Sequence, residues 1–109
     1  MTAPIRVAVV DNGAGNLISI RNALRLLGAE VSVVEAADQL EGTEVILVPG
    51  VGASEAAMGR LRRQGLVEPI IERVRGGTWF VGVCLGMQLL FETSDEDGAQ
   101  MLGLLEGDV

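Results

Sequence analysis

The 109-residue chain has no histidine, no lysine and no tyrosine, and its only aromatic side chains are Trp79, Phe80 and Phe91. Without histidine, no imidazole inside the chain can act as a general base. Its only cations are eight arginines, set against fifteen carboxylates for a net charge of −7. These arginines form no basic stripe, so nucleic acid is not an expected partner. Arg60, Arg62 and Arg63 cluster, and the cluster reads as a solvated helix face. One cysteine cannot close an intrachain disulfide, which favours a reducing compartment. The chain does not open on a basic segment followed by an apolar run. Nor does any stretch approach the ~20 apolar residues of a membrane span. A soluble cytoplasmic protein is expected, with no membrane association, no metal and no cofactor.

What the chain does have is apolar content, 49% against 21% charged residues, which marks it as globular. Its length allows one domain at most, burying about two thirds of the unfolded surface. The β-branched run 5–10 predicts a strand covered on both faces. After Asp11 comes the glycine-rich turn Asn12-Gly13-Ala14-Gly15-Asn16. Leu17, Ile20, Ala23, Leu24 and Leu27 then predict an amphipathic helix over 17–27, stopped by Gly28. Strands are predicted at 30–34 and at 45–48, the latter closed by Pro49, with a polar connection over 38–42 between them. Helices are predicted at 53–61 and 66–74, with Pro69 in the first turn of the second, where its missing N–H does little harm. The acidic stretch of Glu92, Ser94, Asp95, Glu96 and Asp97 reads as a solvated loop. Alternating strands and helices of this kind predict an α/β fold with a parallel sheet, whose ligands bind at the carboxyl ends of the strands. Asp11, Pro49 to Gly52 and Cys84 all fall at such ends.

The most informative stretch is 79–91, where an apolar strand runs straight into a segment with helical spacing. Cys84 sits at the junction, between Gly82 and Gly86. A cysteine is often no more than a small buried hydrophobe. Gly-x-Cys-x-Gly between strand and helix is instead the cysteine form of a nucleophile elbow. There the sulfur faces the free N–H groups of the helix start, a setting that makes a thiol more nucleophilic. Pro49-Gly50-Val51-Gly52, taken alone, is an ordinary turn; beside the elbow it becomes a backbone open to close ligand approach.

GVCLGMQLLFE at 82–92, PGVG at 49–52 followed by ASEAAM at 53–58, and DNGAGNL at 11–17 together resemble the class I glutamine amidotransferases. More narrowly, they are similar to the glutaminase subunits of imidazole glycerol phosphate synthase, of histidine biosynthesis. The likeness extends over all 109 residues. Met87 argues against relatives with histidine at that position, and Asn12 departs from a frequent tyrosine. The resemblance implies a flavodoxin-like fold, incomplete at its C-terminal side, with residues 1–109 as the N-terminal portion of one glutamine amidotransferase domain. It further implies that Cys84 attacks the side-chain amide of glutamine, giving a γ-glutamyl thioester and ammonia. The oxyanion would be held by the backbone N–H groups of Val51 and Leu85. Gly50, Gly52 and Gln88 would bind substrate, and Asn16 would lie at the interface with a partner cyclase subunit of (β/α)₈ barrel fold. That partner would receive the ammonia to form imidazole glycerol phosphate and AICAR.

Class I enzymes complete a triad with a histidine and a glutamate downstream, and neither partner is found after Cys84 in the expected His-x-Glu form. The 109 residues are therefore expected to be the N-terminal half of a glutaminase subunit, poorly stable and without turnover when isolated. Two other readings stay open on the sequence: an inactive module that works through its docking surface, and a sister class I amidotransferase of another pathway.

Overall fold

The period of two within the apolar runs decides which layer each side chain enters. In the computed structural model, which describes residues 3–13 and 17–109, β1 (Arg6–Val10) sends Ala8 and Val10 to one face of the sheet and Val7 and Val9 to the other. The next strand in sequence, β2 (Glu30–Val34), pairs parallel to β1, and β3 (Val45–Gly50) pairs on its other side. The last strand, β4 (Trp79–Cys84), adds to β3, giving the parallel order β2-β1-β3-β4. The α/β parallel-sheet expectation is met.

Two layers of side chains clothe this sheet unequally. On one face, Ala8, Val10, Ile46 and Val48 pack with Met58 and Leu61 of α2 (Ser54–Arg63), Ile70 of α3 (Val67–Arg75), and Met101 and Leu102 of the C-terminal segment. On the other face, among the described residues, only α1 (Leu17–Leu26) lies over the sheet, bringing Leu17, Ile20 and Leu24 against Val7, Val9 and Leu47. Leu27, whose N–H still donates to the carbonyl of Ala23 at 3.2 Å, stays exposed at the open end of the same face. An apolar groove of about 320 Å³ remains there, bounded by Ile5, Leu27, Val45 and Val81 among others. The edge strand β4 leaves Trp79, Val81 and Val83 exposed on it. An uncovered edge strand of this kind favours association with other chains.

Three local expectations need correction. The 38–42 connection contains a 3₁₀ turn, Ala37–Leu40, that drives Leu40 into the core. Pro49 does not close β3 but lies within it, paired with Val83. Proline is tolerated there because it has no N–H to continue the ladder to β1, and that ladder ends at Val9 and Leu47. Finally, the helix after Cys84 is the single turn α4 (Leu85–Gln88). Beyond it the chain tightens, the N–H groups of Leu90 and Phe91 donating three residues back to Met87 and Gln88 at 3.3 and 3.2 Å, while the end carbonyls of Leu89, Leu90 and Phe91 accept from the N–H groups of Leu102, Leu105 and Gly103 at 2.9 to 3.0 Å.

The acidic stretch is not simply solvated. Asp97 accepts from the backbone N–H of Glu55 at 3.0 Å, capping the first turn of α2 from outside its own segment, and from that of Ala99 at 3.1 Å. These two bonds hold its carboxyl below the ordinary value of 3.8. A lowered carboxyl contributes stability above its unfolded value, and that contribution is lost as pH falls through the lower folded one. Asp97→Asn is therefore expected to lower the thermal midpoint by a few degrees at pH 7. The difference from the parent should close as pH drops below 3.8. Thermal melts of both proteins from pH 7 to 2.5 check this. Arg62 likewise reaches beyond solvent, donating to the carbonyl of Gln100 at 3.1 Å and pairing with Glu55 at 3.5 Å.

Candidate active site

At the carboxyl end of the sheet the register aligns Gly50 with Cys84, so the end of β3 faces the end of β4. The chain then turns sharply into α4. Cys84 takes φ 55°, ψ −117°, and it is the only residue other than glycine at positive φ among the described residues. That backbone conformation disfavours any side chain with a Cβ, and it persists only where the surroundings enforce it. The enforcement is visible in the two flanking glycines. A Cβ on Gly82 would fall 2.5 Å from the carbonyl oxygen of Gly86, and one on Gly86 would overlap the carbonyl oxygen of Val48. Strand and helix thus approach more closely than any other residue permits, and the thiol is left exposed above the sheet.

An open cleft of about 360 Å³ lies around that thiol, lined by Gly50, Val51, Gly52, Cys84, Leu85, Met87, Gln88 and Glu96. Gly50 is held against the elbow: a Cβ there would lie 2.9 Å from Cβ of Leu85. Gly52 adopts φ +88°, which lets the backbone turn at the end of β3 while the residue stays in the cleft wall. The arrangement sets one nucleophilic sulfur beside two stretches of main chain, 50–52 and the start of α4, whose N–H groups can donate to an anion. Among the described residues no group of three or more metal-ligating side chains occurs. No described helix is long and apolar enough to cross a membrane.

Of the residues singled out in the sequence, Gly50, Val51, Gly52, Cys84, Leu85 and Gln88 meet in this one cleft. Asn16 lies outside the described residues. Asp11 is not part of the cleft. Its side chain accepts from the N–H of Gly13 at 3.2 Å, and its main chain bonds to Val34 and Gln64. Glu96 is the residue the sequence did not single out. It reaches the cleft because Asp97 next to it is pinned to the start of α2. A charge in a run of acids carries no sequence signal of that placement.

Residues 8–101 match the model of one protein family, described as glutamine amidotransferase class-I. The chain is 48% identical over 103 residues to "Imidazole glycerol phosphate synthase subunit HisH" of Xanthomonas campestris pv. campestris (strain 8004), covering 94% of this chain and 50% of that protein. It is 47% identical over 104 residues to the protein of the same name from Exiguobacterium sibiricum, covering 94% and 53%. A solved structure, "Crystal structure of glutamine amidotransferase", superposes with a TM-score of 0.80 at 30% identity, over 94% of this chain and 54% of that one. The chain spans about half the length of the curated relatives it matches.

Proposed function

Given that the chain belongs to the class I glutamine amidotransferase family, we propose that it is the nucleophile-bearing portion of a glutaminase subunit of imidazole glycerol phosphate synthase. What supports this most is Cys84, held at φ 55° in a cleft whose other wall is Gly50-Val51-Gly52. Similarity near 50% to proteins named as that subunit supports the pathway, histidine biosynthesis. In this reading residues 1–109 belong to one amidotransferase domain and work in the cytoplasm beside a (β/α)₈ cyclase partner. Asn16 faces that partner, and no metal or cofactor takes part.

The chemistry follows from the parts. Cys84 Sγ attacks the side-chain carbonyl carbon of glutamine, and the carbonyl oxygen gathers negative charge. The backbone N–H groups of Val51 and Leu85 stabilise that charge, each donor contributing about 10²–10³ in rate. The C–N bond then breaks. Its nitrogen leaves as ammonia, carrying the proton a base has taken from the thiol, and a γ-glutamyl thioester remains on Cys84. Water hydrolyses the thioester to glutamate and restores the thiol. The base is not a histidine of these 109 residues, which contain none. Gly50 and Gly52 let the substrate approach the main chain, and Gln88 supplies a polar contact one turn beyond Cys84.

Glu96 gives the cleft a carboxylate suited to the α-ammonium group of glutamine, which sets the substrate apart from simple amides. The test is alkylation of Cys84 by a glutamine-mimicking chloroketone. Labelling should saturate with reagent concentration, and free glutamine should protect. In Glu96→Gln the half-saturating concentration should rise about tenfold while the maximal rate changes little. Labelling that never saturates and ignores glutamine would leave a chain that acts only through its docking surface.

A further inference from the structure

The end of β3 carries one contact that the reaction outlined above leaves unused. Asn12 is buried at 6% exposure, and its side-chain Nδ2 donates to the carbonyl oxygen of Pro49 at 2.9 Å across 37 residues of sequence. Pairing of β1 with β3 has already ended at Val9 and Leu47, so Pro49 lies beyond the ladder on that side. The amide of Asn12 thus supplies the carbonyl with a donor after main-chain pairing stops. That carbonyl belongs to the peptide joining Pro49 to Gly50. The next peptide, joining Gly50 to Val51, carries the N–H assigned to the oxyanion.

We propose that Asn12 is a positioning residue for glutamine hydrolysis, fixing the Pro49–Gly50 peptide plane so that the Val51 N–H is presented to the developing oxyanion. The inference rests on the glutaminase reading. Three further features make the segment sensitive to such a tether. Gly50 has no side chain to fix its torsions, and what holds it lies on the other side, its pairing with Cys84 and the close approach of Leu85 and Gly86. Gly52 at φ +88° lies in open space, with nothing within 4 Å of where a Cβ would stand, so the downstream side imposes little restraint. Val51 itself is exposed, facing both the cleft around Cys84 and a second hollow lined by Asn12, Gly13, Ala56, Ala57, Arg60 and Arg63. A peptide between two glycines can turn either way, and a fixed carbonyl one peptide upstream narrows that choice. The tether acts through orientation, since Asn12 is not among the residues lining the cleft.

A positioning role and a purely structural one differ in what they move. Asn12→Leu and Asn12→Asp keep the side-chain size and remove the donor. Each should lower the maximal rate of Cys84 alkylation by the glutamine chloroketone about tenfold. The half-saturating concentration should stay within about twofold, and the rate with iodoacetamide, which develops no oxyanion, should match the parent. The hydrogen bond is read independently in the unsubstituted chain as a scalar coupling between Asn12 Nδ2 and the Pro49 carbonyl carbon. Parental maximal rates in a folded variant, or absence of that coupling, overturn the proposal while leaving the glutaminase reading intact. If the unsubstituted chain shows no saturable labelling, the glutaminase reading fails and the proposal fails with it.

Discussion

Replacing Gly86 with alanine is expected to cost at least about 3 kcal/mol of stability and to abolish selective labelling of Cys84. The reason is steric and falls on rigid atoms. The new Cβ would overlap the carbonyl oxygen of Val48 and lie 2.8 Å from its carbonyl carbon, so β3 and α4 must separate. No flexible side chain can yield there. Separation would also break the alignment of Gly50 with Cys84, on which the cleft depends. Gly59 provides the control. It lies inside α2, where the nearest atom to an added Cβ is the mobile end of Arg63 at 3.5 Å. Alanine at 59 should therefore stabilise by about 0.5–1 kcal/mol through helix propensity. Denaturant unfolding of both variants measures the contrast, with the midpoint falling for one and rising for the other. Equal midpoints would mean that strand and helix are not held at the contact described.

Cys84 itself should show opposed effects on stability and activity. At φ 55°, ψ −117° a residue with a Cβ is strained, at a cost of order 1–3 kcal/mol. Alanine at 84 keeps that strain and glycine relieves it, although glycine also gives up unfolded-state stiffness. Cys84→Gly is thus expected to be about 1 kcal/mol more stable than Cys84→Ala. In the active glutaminase proposed above, both should lower glutamine hydrolysis by about 10⁴-fold or more, because among the described residues no other thiol or hydroxyl lines the cleft. A residue retained in a strained turn at a cost to folding is expected where its position serves chemistry. Equal stability of the two variants would remove the argument that the elbow stores strain.

Much of this was legible in the sequence where one residue type permits one geometry. The run at 6–10 could be read as a strand because Val7, Ala8, Val9 and Val10 are buried on both faces, and burial of that kind demands an unbroken apolar run. The elbow was legible because Gly82 and Gly86 have no alternative: each glycine stands where main chain occupies the place of a Cβ. What escaped the sequence depends on competition between distant segments. Helical spacing continues through Phe91, yet the regular helix ends at Gln88: the next N–H groups bond three residues back, and residues 89–91 are tied to the distant segment 102–105. Pro49 reads as a strand terminator, and only the early end of the β1 ladder explains why the strand continues. The acidic stretch shows the limit most plainly. Glu92 accepts from the N–H of Gly107, Glu96 lines the cleft and Asp97 caps α2, three roles for neighbouring carboxylates that composition alone cannot separate.

The central claim is that a covalent bond forms between glutamine and Cys84, and rapid acid quench followed by peptide mass analysis tests it most directly. The subunit as its gene encodes it, together with the cyclase subunit proposed as its partner, is mixed with glutamine and stopped within one turnover. The peptide carrying Cys84 should gain the mass of one glutamyl group, and the gain should disappear in Cys84→Ala and on treatment with hydroxylamine, which cleaves thioesters. Ammonia release without an adduct on that peptide, or an adduct on another residue, would contradict the account.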